Sequence, residues 1–217
     1  MPSANLDKNT TLNDFLKSMP LIAILRGLKP QESSGVAGIL IESGFRIIEV
    51  PLNSPNPLES IRIMSEKWDS KAIFGAGTVL NPESVEQVKK AGGRIIVSPN
   101  FNPEVVAVTK KNGLFSVPGV ATPTEAFSAI DAGADALKIF PGEMVQPKTI
   151  KAMKAVLPKK IPILVVGGIT EKNMAKYWKV GVSGFGIGSS LYRPGRKIDD
   201  ILERAKGLVG SVIKIRG

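Results

Sequence analysis

The chain has 217 residues with 43% apolar and 22% charged positions, enough to bury a core of one large domain without cross-links. It contains neither cysteine nor histidine, which excludes disulfides, thiolate nucleophiles, a Ser-His-Asp triad, His-based general acid–base chemistry and the usual zinc sites. Its formal charge of +10 favours anionic ligands, but Lys89-Lys90, Lys110-Lys111 and Lys159-Lys160 are scattered pairs without interleaved aromatics. They read as solvated helix ends with a mild pull on charged metabolites, rather than a nucleic-acid surface.

The N-terminal stretch has no basic start followed by a long apolar segment, and no run reaches the length of a membrane span. The expectation is a cytoplasmic protein with no membrane contact. Residues 1–19 form an extension in which 5–19 reads as a short helix set before the first strand, covering the bottom of the fold. Strand-like runs then recur in order: Leu21–Leu25, Arg46–Val50, Ala72–Gly75, Arg94–Val97, Leu114–Val117, Ala136–Phe140, Ile163–Val166 and Gly184–Ile187. Helical segments lie between them, such as Pro82–Ala91 and Pro123–Ala132. The latter is opened by Thr122 with Glu125 three residues on, a capping pattern. Several helices stop at a glycine before the next strand (Gly44, Gly92, Gly113, Gly133, Gly181), as left-handed helix ends do.

Strands alternating with helices imply a parallel sheet buried on both faces. Eight such units in residues 1–217 predict a single α/β domain, a (β/α)₈ TIM barrel with a short N-terminal helix. A doubly wound open sheet is the alternative.

In a barrel the chemistry gathers where strands meet the loops that follow. Lys138 interrupts the apolar run Ala136–Phe140. Burial lowers an ammonium pKa, so such a lysine can attack a carbonyl as a neutral amine; the alternative is a lysine that snorkels or pairs with a carboxylate. Glu49 stands in a second apolar strand, as a proton shuttle or as a counter-ion to Lys138 or Arg26. Arg26 ends the first strand and can clasp a carboxylate or pair with Glu49. The loops Val166–Thr170 and Gly186–Ser190 follow the last two strands, where glycines let backbone N–H groups approach an anion.

At these residues the sequence resembles the pyruvate-dependent class I aldolases that cleave 2-keto-3-deoxy-6-phospho sugar acids. The stretches that carry the resemblance are Pro20–Gly27, Ile48–Pro55, Gly75–Pro82, Val97–Asn100, Pro118–Phe127, Ala136–Pro141 and Val166–Thr170, in order and at barrel spacing. The resemblance implies Lys138 as Schiff-base lysine and Glu49 as acid/base. It places Arg26 and Thr78 at the carboxylate of the pyruvate end, Pro99 and Phe140 in the pocket wall, and Gly167, Gly168, Gly188 and Ser189 at a phosphate. It implies a homotrimer acting on a phosphorylated keto sugar acid, with pyruvate as product and no metal or other cofactor.

Two branches of that family differ in substrate configuration. The gluconate branch carries Arg after the glutamate strand and Thr before the double glycine; here Asn53 and Val166 stand there, as in the galactonate branch. The 2-keto-3-deoxy-6-phosphogluconate or 4-hydroxy-2-oxoglutarate aldolases are the alternative, and a phosphate-binding barrel isomerase or synthase is the alternative of another class.

Overall fold

The structure, a computed structural model, describes residues 10–217; residues 5–9 of the expected first helix lie outside them. Helix α1 (Leu12–Ser18) starts at Thr11. The Asp14 amide donates to Thr11 Oγ1 at 3.3 Å and the Thr11 amide to Asp14 Oδ2 at 3.0 Å, so two otherwise unpaired N–H groups are satisfied reciprocally.

The strands follow as β1 (Leu21–Ile24), β2 (Ile47–Pro51), β3 (Ile73–Gly77), β4 (Ile95–Val97), β5 (Phe115–Val117), β6 (Gly119–Val120), β7 (Leu137–Ile139), β8 (Ile163–Val166) and β9 (Gly184–Ile187). Helices α2 (Pro30–Ser43), α3 (Pro57–Trp68), α4 (Pro82–Lys90), α5 (Pro103–Lys111), α6 (Pro123–Asp131) and α7 (Pro147–Val156) each begin on a proline. Its fixed φ suits the first helical turn, and the N–H it lacks would be unpaired there anyway. Helices α8 (Met174–Trp178) and α9 (Ile198–Arg216) complete the ring. The predicted cap of α6 is present: Thr122 Oγ1 accepts from the Glu125 amide, and Glu125 Oε2 from the Thr122 amide.

All strand pairs are parallel, in the order β5-β4-β3-β2-β1-β9-β8-β7-β6. The expected fifth strand, Leu114–Val117, corresponds to β5, but the fifth barrel position holds two pieces, β5 and β6, because Pro118 has no N–H to give the ladder. Its first piece pairs with β4 and its second with β7, so β5 and β6 in series close the ring into an eight-position barrel. The open doubly wound sheet is excluded by this closure, and the fold matches the expected barrel.

Strand residues alternate between two cores. Leu21, Ile48, Phe74, Ile96, Leu137, Ile163 and Phe185 face the helices. Ile22, Ile47, Ile73, Ile95, Val97, Val117, Ala136 and Leu164 face the barrel axis and meet Leu12, Phe15 and Leu16 of α1 from below. Each of those three side chains is at most 3% exposed, and burying each stabilises by about 1.5–3 kcal/mol. Phe15 meets Phe115 edge-on at 6.3 Å, and Arg216 at the end of α9 bonds the carbonyls of Lys17 and Ser18. The bottom is therefore plugged, and any ligand must enter from the top.

Candidate active site

The alternation that points Ile47 and Ala136 into the barrel axis points Glu49 and Lys138, two residues on, into the same axis one layer higher. Apolar bulk fills the lower layer. In the upper layer, glycines make room: Glu49 is paired in register with Gly75, and Lys138 with Gly119. A Cβ on Gly119 would lie 2.2 Å from the carbonyl oxygen of Pro99, so only glycine lets these strands approach there.

The result is a cavity of about 650 Å³ at the top of the barrel. Arg26, Glu49, Thr78, Pro99, Lys138, Phe140, Val166, Gly167, Gly168, Gly188 and Ser189 all line it; the sequence had marked each of them. A second, more open cleft of about 720 Å³ near Leu52, Pro57 and Ser84 holds one carboxylate, Glu59, which is taken up by Arg62 at 2.6 Å.

Glu49 is 2% exposed and Lys138 6%. Neither is in ion-pair contact with the other, nor is Arg26 with any carboxylate, among the described residues. The counter-ion alternatives for these three side chains are therefore not what the geometry adopts. Lys138 Nζ instead stands over the Phe140 ring, 4.5 Å from its centre, and Glu49 Oε2 is buried without a hydrogen-bond partner.

Burial pushes the Glu49 carboxyl up to about 7, against smaller downward pulls from Lys138, Arg26 and the Gly77 amide. Burial likewise lowers Lys138, and Arg26 lowers it further while Glu49 opposes. Both groups are thus moved toward their neutral forms, which is the direction a nucleophilic amine and a proton-carrying acid require.

Arg26 is held by its neutral neighbours. Nη1 bonds Asn53 Oδ1, and Nη2 reaches Thr78 Oγ1 at 3.4 Å. Thr78 adopts φ 57°, a left-handed conformation that costs a non-glycine residue on the order of 1–3 kcal/mol. That strain turns its hydroxyl toward the guanidinium at the cavity mouth. A carboxylate placed between Arg26 and Thr78 would meet a fork donor and a hydroxyl.

The loops after β8 and β9 supply backbone donors. The amides of Gly168, Gly188, Ser189 and Ser190 have no acceptor within the protein among the described residues. Four unpaired donors at one end of a cavity suit a phosphate. Gly167 and Gly168 have φ 111° and 64°, conformations open to glycine.

Several lining residues were not marked by the sequence. Glu143 lies against the glycine pair; a Cβ on Gly167 would fall 2.3 Å from its Oε2. Tyr192 and Arg193 also line the cavity, with Tyr192 anchored to Glu32 Oε2 at 3.1 Å. Arg193 had a signal, the first cation after a glycine-serine loop, whereas Glu143 had none beyond its place after the lysine strand. Among the described residues no three acidic side chains come together as a metal-ligand set.

Comparison with known proteins finds relatives of the chain as a whole. The family described as KDPG and KHG aldolase matches residues 12–203. A Rhizobium meliloti (strain 1021) protein named "Probable 2-dehydro-3-deoxy-6-phosphogalactonate aldolase" is 50% identical over 186 residues, 86% of this chain and 88% of that one. The 2-dehydro-3-deoxy-6-phosphogalactonate aldolase of Escherichia coli (strain K12) is 45% identical over 191 residues, 88% and 93% of the two chains. A solved structure described as "Native KDPGal structure" superposes with a TM-score of 0.90 at 43% identity, over 91% of this chain and 96% of that one.

Proposed function

This chain belongs to the KDPG and KHG aldolase family, and we propose that it reversibly cleaves 2-keto-3-deoxy-6-phosphogalactonate to pyruvate and D-glyceraldehyde 3-phosphate. It is an aldolase, a carbon–carbon lyase. The galactonate substrate rests on the names of the two relatives at 45% and 50% identity and on Asn53 and Val166 at the two branch positions.

The single observation that carries the mechanism is the pairing of Lys138 and Glu49. Both are buried in one cavity, shifted toward neutrality, and not consumed by a mutual ion pair. Neutral Lys138 attacks the C2 ketone, with Arg26 and Thr78 holding the C1 carboxylate. The Nζ–C2 bond forms as the carbonyl electrons move to oxygen; one amine proton passes to that oxygen and Glu49 supplies a second, so that it leaves as water. The resulting protonated imine withdraws electrons while the C4 hydroxyl gives up its proton to the Glu49 carboxylate and the C3–C4 bond breaks. Glyceraldehyde 3-phosphate departs, leaving an enamine on Lys138. Protonation at C3 and attack by water then release pyruvate and the free amine.

The amides at Gly168, Gly188 and Ser189 hold the phosphate. Binding energy gained at that remote end places the C3–C4 bond against the imine. Pro99 and Phe140 wall the reacting end, Phe140 with its ring beneath Nζ. Gly167 gives the loop its turn, and Val166 faces the substrate from β8. In solution the family resemblance supports a homotrimer, checked by light scattering. A phosphorylated sugar acid is confined to the compartment that makes it, which supports a cytoplasmic setting; no described helix is long and apolar enough to cross a membrane.

The decisive experiment is borohydride reduction in the presence of pyruvate, followed by peptide mass spectrometry. The expected product is a reduced pyruvate adduct on Lys138. An active enzyme that yields no adduct, or one on another lysine, rules the mechanism out.

A further inference from the structure

The turn that follows β9 is held from behind by one side chain. Arg196 Nη1 donates to the carbonyls of Leu191 at 2.7 Å, Ser189 at 3.3 Å and Ser190 at 3.4 Å. Its Nε pairs with Asp200 Oδ2 at 3.1 Å, and the side chain is 11% exposed. The other Asp200 oxygen takes Arg204 Nε at 2.8 Å, and Arg204 Nη1 donates to Ser190 O at 3.3 Å. Arg196 is not part of the cavity lining, whereas its neighbour Arg193 is.

Peptide planarity converts this grip into a direction. The peptides here are trans, so each carbonyl points opposite to the N–H of the residue that follows. Fixing the Ser189 carbonyl on Arg196 therefore fixes the Ser190 N–H on the other side. The Gly188 carbonyl is fixed in the same way, by the amides of Leu191 and Tyr192 at 2.9 and 3.0 Å, and that fixes the Ser189 N–H. Both of these N–H groups lack a protein acceptor among the described residues. Ser190 Oγ then ties the turn to the other glycine loop through Ile169 O at 2.9 Å. The turn thus has its carbonyls gathered on a cationic back and its free donors on the opposite side.

We propose that Arg196, buttressed by Asp200, is a positioning residue for the phosphate subsite: it touches no substrate atom but aims the amides that do. The inference rests on the reading of the unpaired amides of Gly188, Ser189 and Ser190 as phosphate donors given above. A guanidinium suits the task because its planar fork can serve the carbonyls through Nη1 and Asp200 through Nε at once, while an ammonium supplies a compact charge without that geometry.

The test is aldol addition of pyruvate to D-glyceraldehyde 3-phosphate and to D-glyceraldehyde, compared within each of wild type, Arg196→Met and Arg196→Lys. Wild type should prefer the phosphorylated aldehyde in kcat/KM. In Arg196→Met that preference should fall roughly tenfold, mostly through the KM of the phosphorylated aldehyde, and Arg196→Lys should fall between the two. Each ratio is taken within one protein, so a reduced folded fraction cancels. A wild-type enzyme without preference overturns the phosphate reading and this inference with it. A wild-type preference that Arg196→Met retains in full overturns this inference alone, and so does an Arg196→Lys variant with the whole wild-type preference, because charge would then suffice.

Discussion

The carboxylate of Glu49 occupies the space that a side chain at position 77 would fill: a Cβ on Gly77 would lie 2.2 Å from Oε2 and 2.4 Å from Oε1. The acid and the glycine are one device, built by adjacent strands. Gly77→Ala should displace the carboxylate and lower kcat by about 10²–10⁴, the range of a general acid–base contribution. The Lys138 side chain should remain trappable by pyruvate, though more slowly. Steady-state kinetics beside a thermal melt checks this; normal turnover with a normal melt would show that the carboxylate needs no such berth.

The raised Glu49 carboxyl makes stability depend on pH, and the sign follows from proton counting. In the unfolded chain the group titrates near about 4.3; in the fold, burial raises it to about 7. Between those values the folded protein holds a proton that the unfolded chain has released. The contribution is therefore fully present below the lower value and is lost as pH rises through about 7, by on the order of 3–4 kcal/mol. Glu49→Gln removes this slope, so its stability relative to wild type should improve from pH 5 to pH 8. Urea midpoints at both pH values read the difference, and parallel curves for the two proteins would contradict the shift.

The bond between Arg26 and Asn53 gives the branch position a physical role. Asn53→Arg would set a second guanidinium against the first and remove the acceptor that holds it. KM for the keto acid should rise about tenfold from this change alone. Combined with Val166→Thr, the preference between the C4 epimers should move toward the gluconate form. A kcat/KM ratio for the two epimers that stays at the wild-type value in the double variant would deny both positions a part in selection.

Glu143 is the anion nearest the glycine loops, lying against Gly167 and Gly168 without a partner among the described residues. A carboxylate beside a phosphate site opposes occupancy; in a partly exposed cleft a nearby like charge costs about 1 kcal/mol or more. Glu143→Gln should therefore tighten inhibition by inorganic phosphate, by roughly fivefold. The gain should shrink in high salt. Weaker phosphate inhibition in this variant would mean that Glu143 orders the loop rather than repels the anion.

The sequence disclosed the parts of this site that depend on periodicity. Although strands that are apolar on both faces do not say which face points to the barrel axis, the misfit of Glu49 and Lys138 among the apolar neighbours of Ile47–Val50 and Ala136–Phe140 was visible without coordinates. The eight-fold beat of strands was visible for the same reason. Contacts between loops were not. Nothing in the order of residues placed Asn53 rather than Glu49 against Arg26, because that choice depends on how far each strand tilts and where each turn ends. The left-handed Thr78 was equally hidden, since threonine normally avoids that conformation. The fifth strand, read as Leu114–Val117, stops at Pro118 as expected; the two-residue β6 beyond this break went unread, because Gly119–Val120 is too short to show a strand pattern and only its pairing with β7 reveals it. The positions that the sequence did not mark, Glu143 and Arg193, reach the cavity from short irregular segments that have no period to read.

That break has a consequence for the ring as a whole. A closed barrel has no edge strand, but this one has a splice, and β7 lies beside it. On that side β7 is joined at two paired positions, Gly119 with Lys138 and Val120 with Ile139, against five between β2 and β3. The amides of Lys138 and Phe140 reach across it to Pro118 O and Val120 O at 2.9 and 3.3 Å. On the proposed mechanism, the strand that takes on and gives up a covalent load in every cycle is moored lightly on one flank, where small shifts of the lysine need not unseat the rest of the hoop.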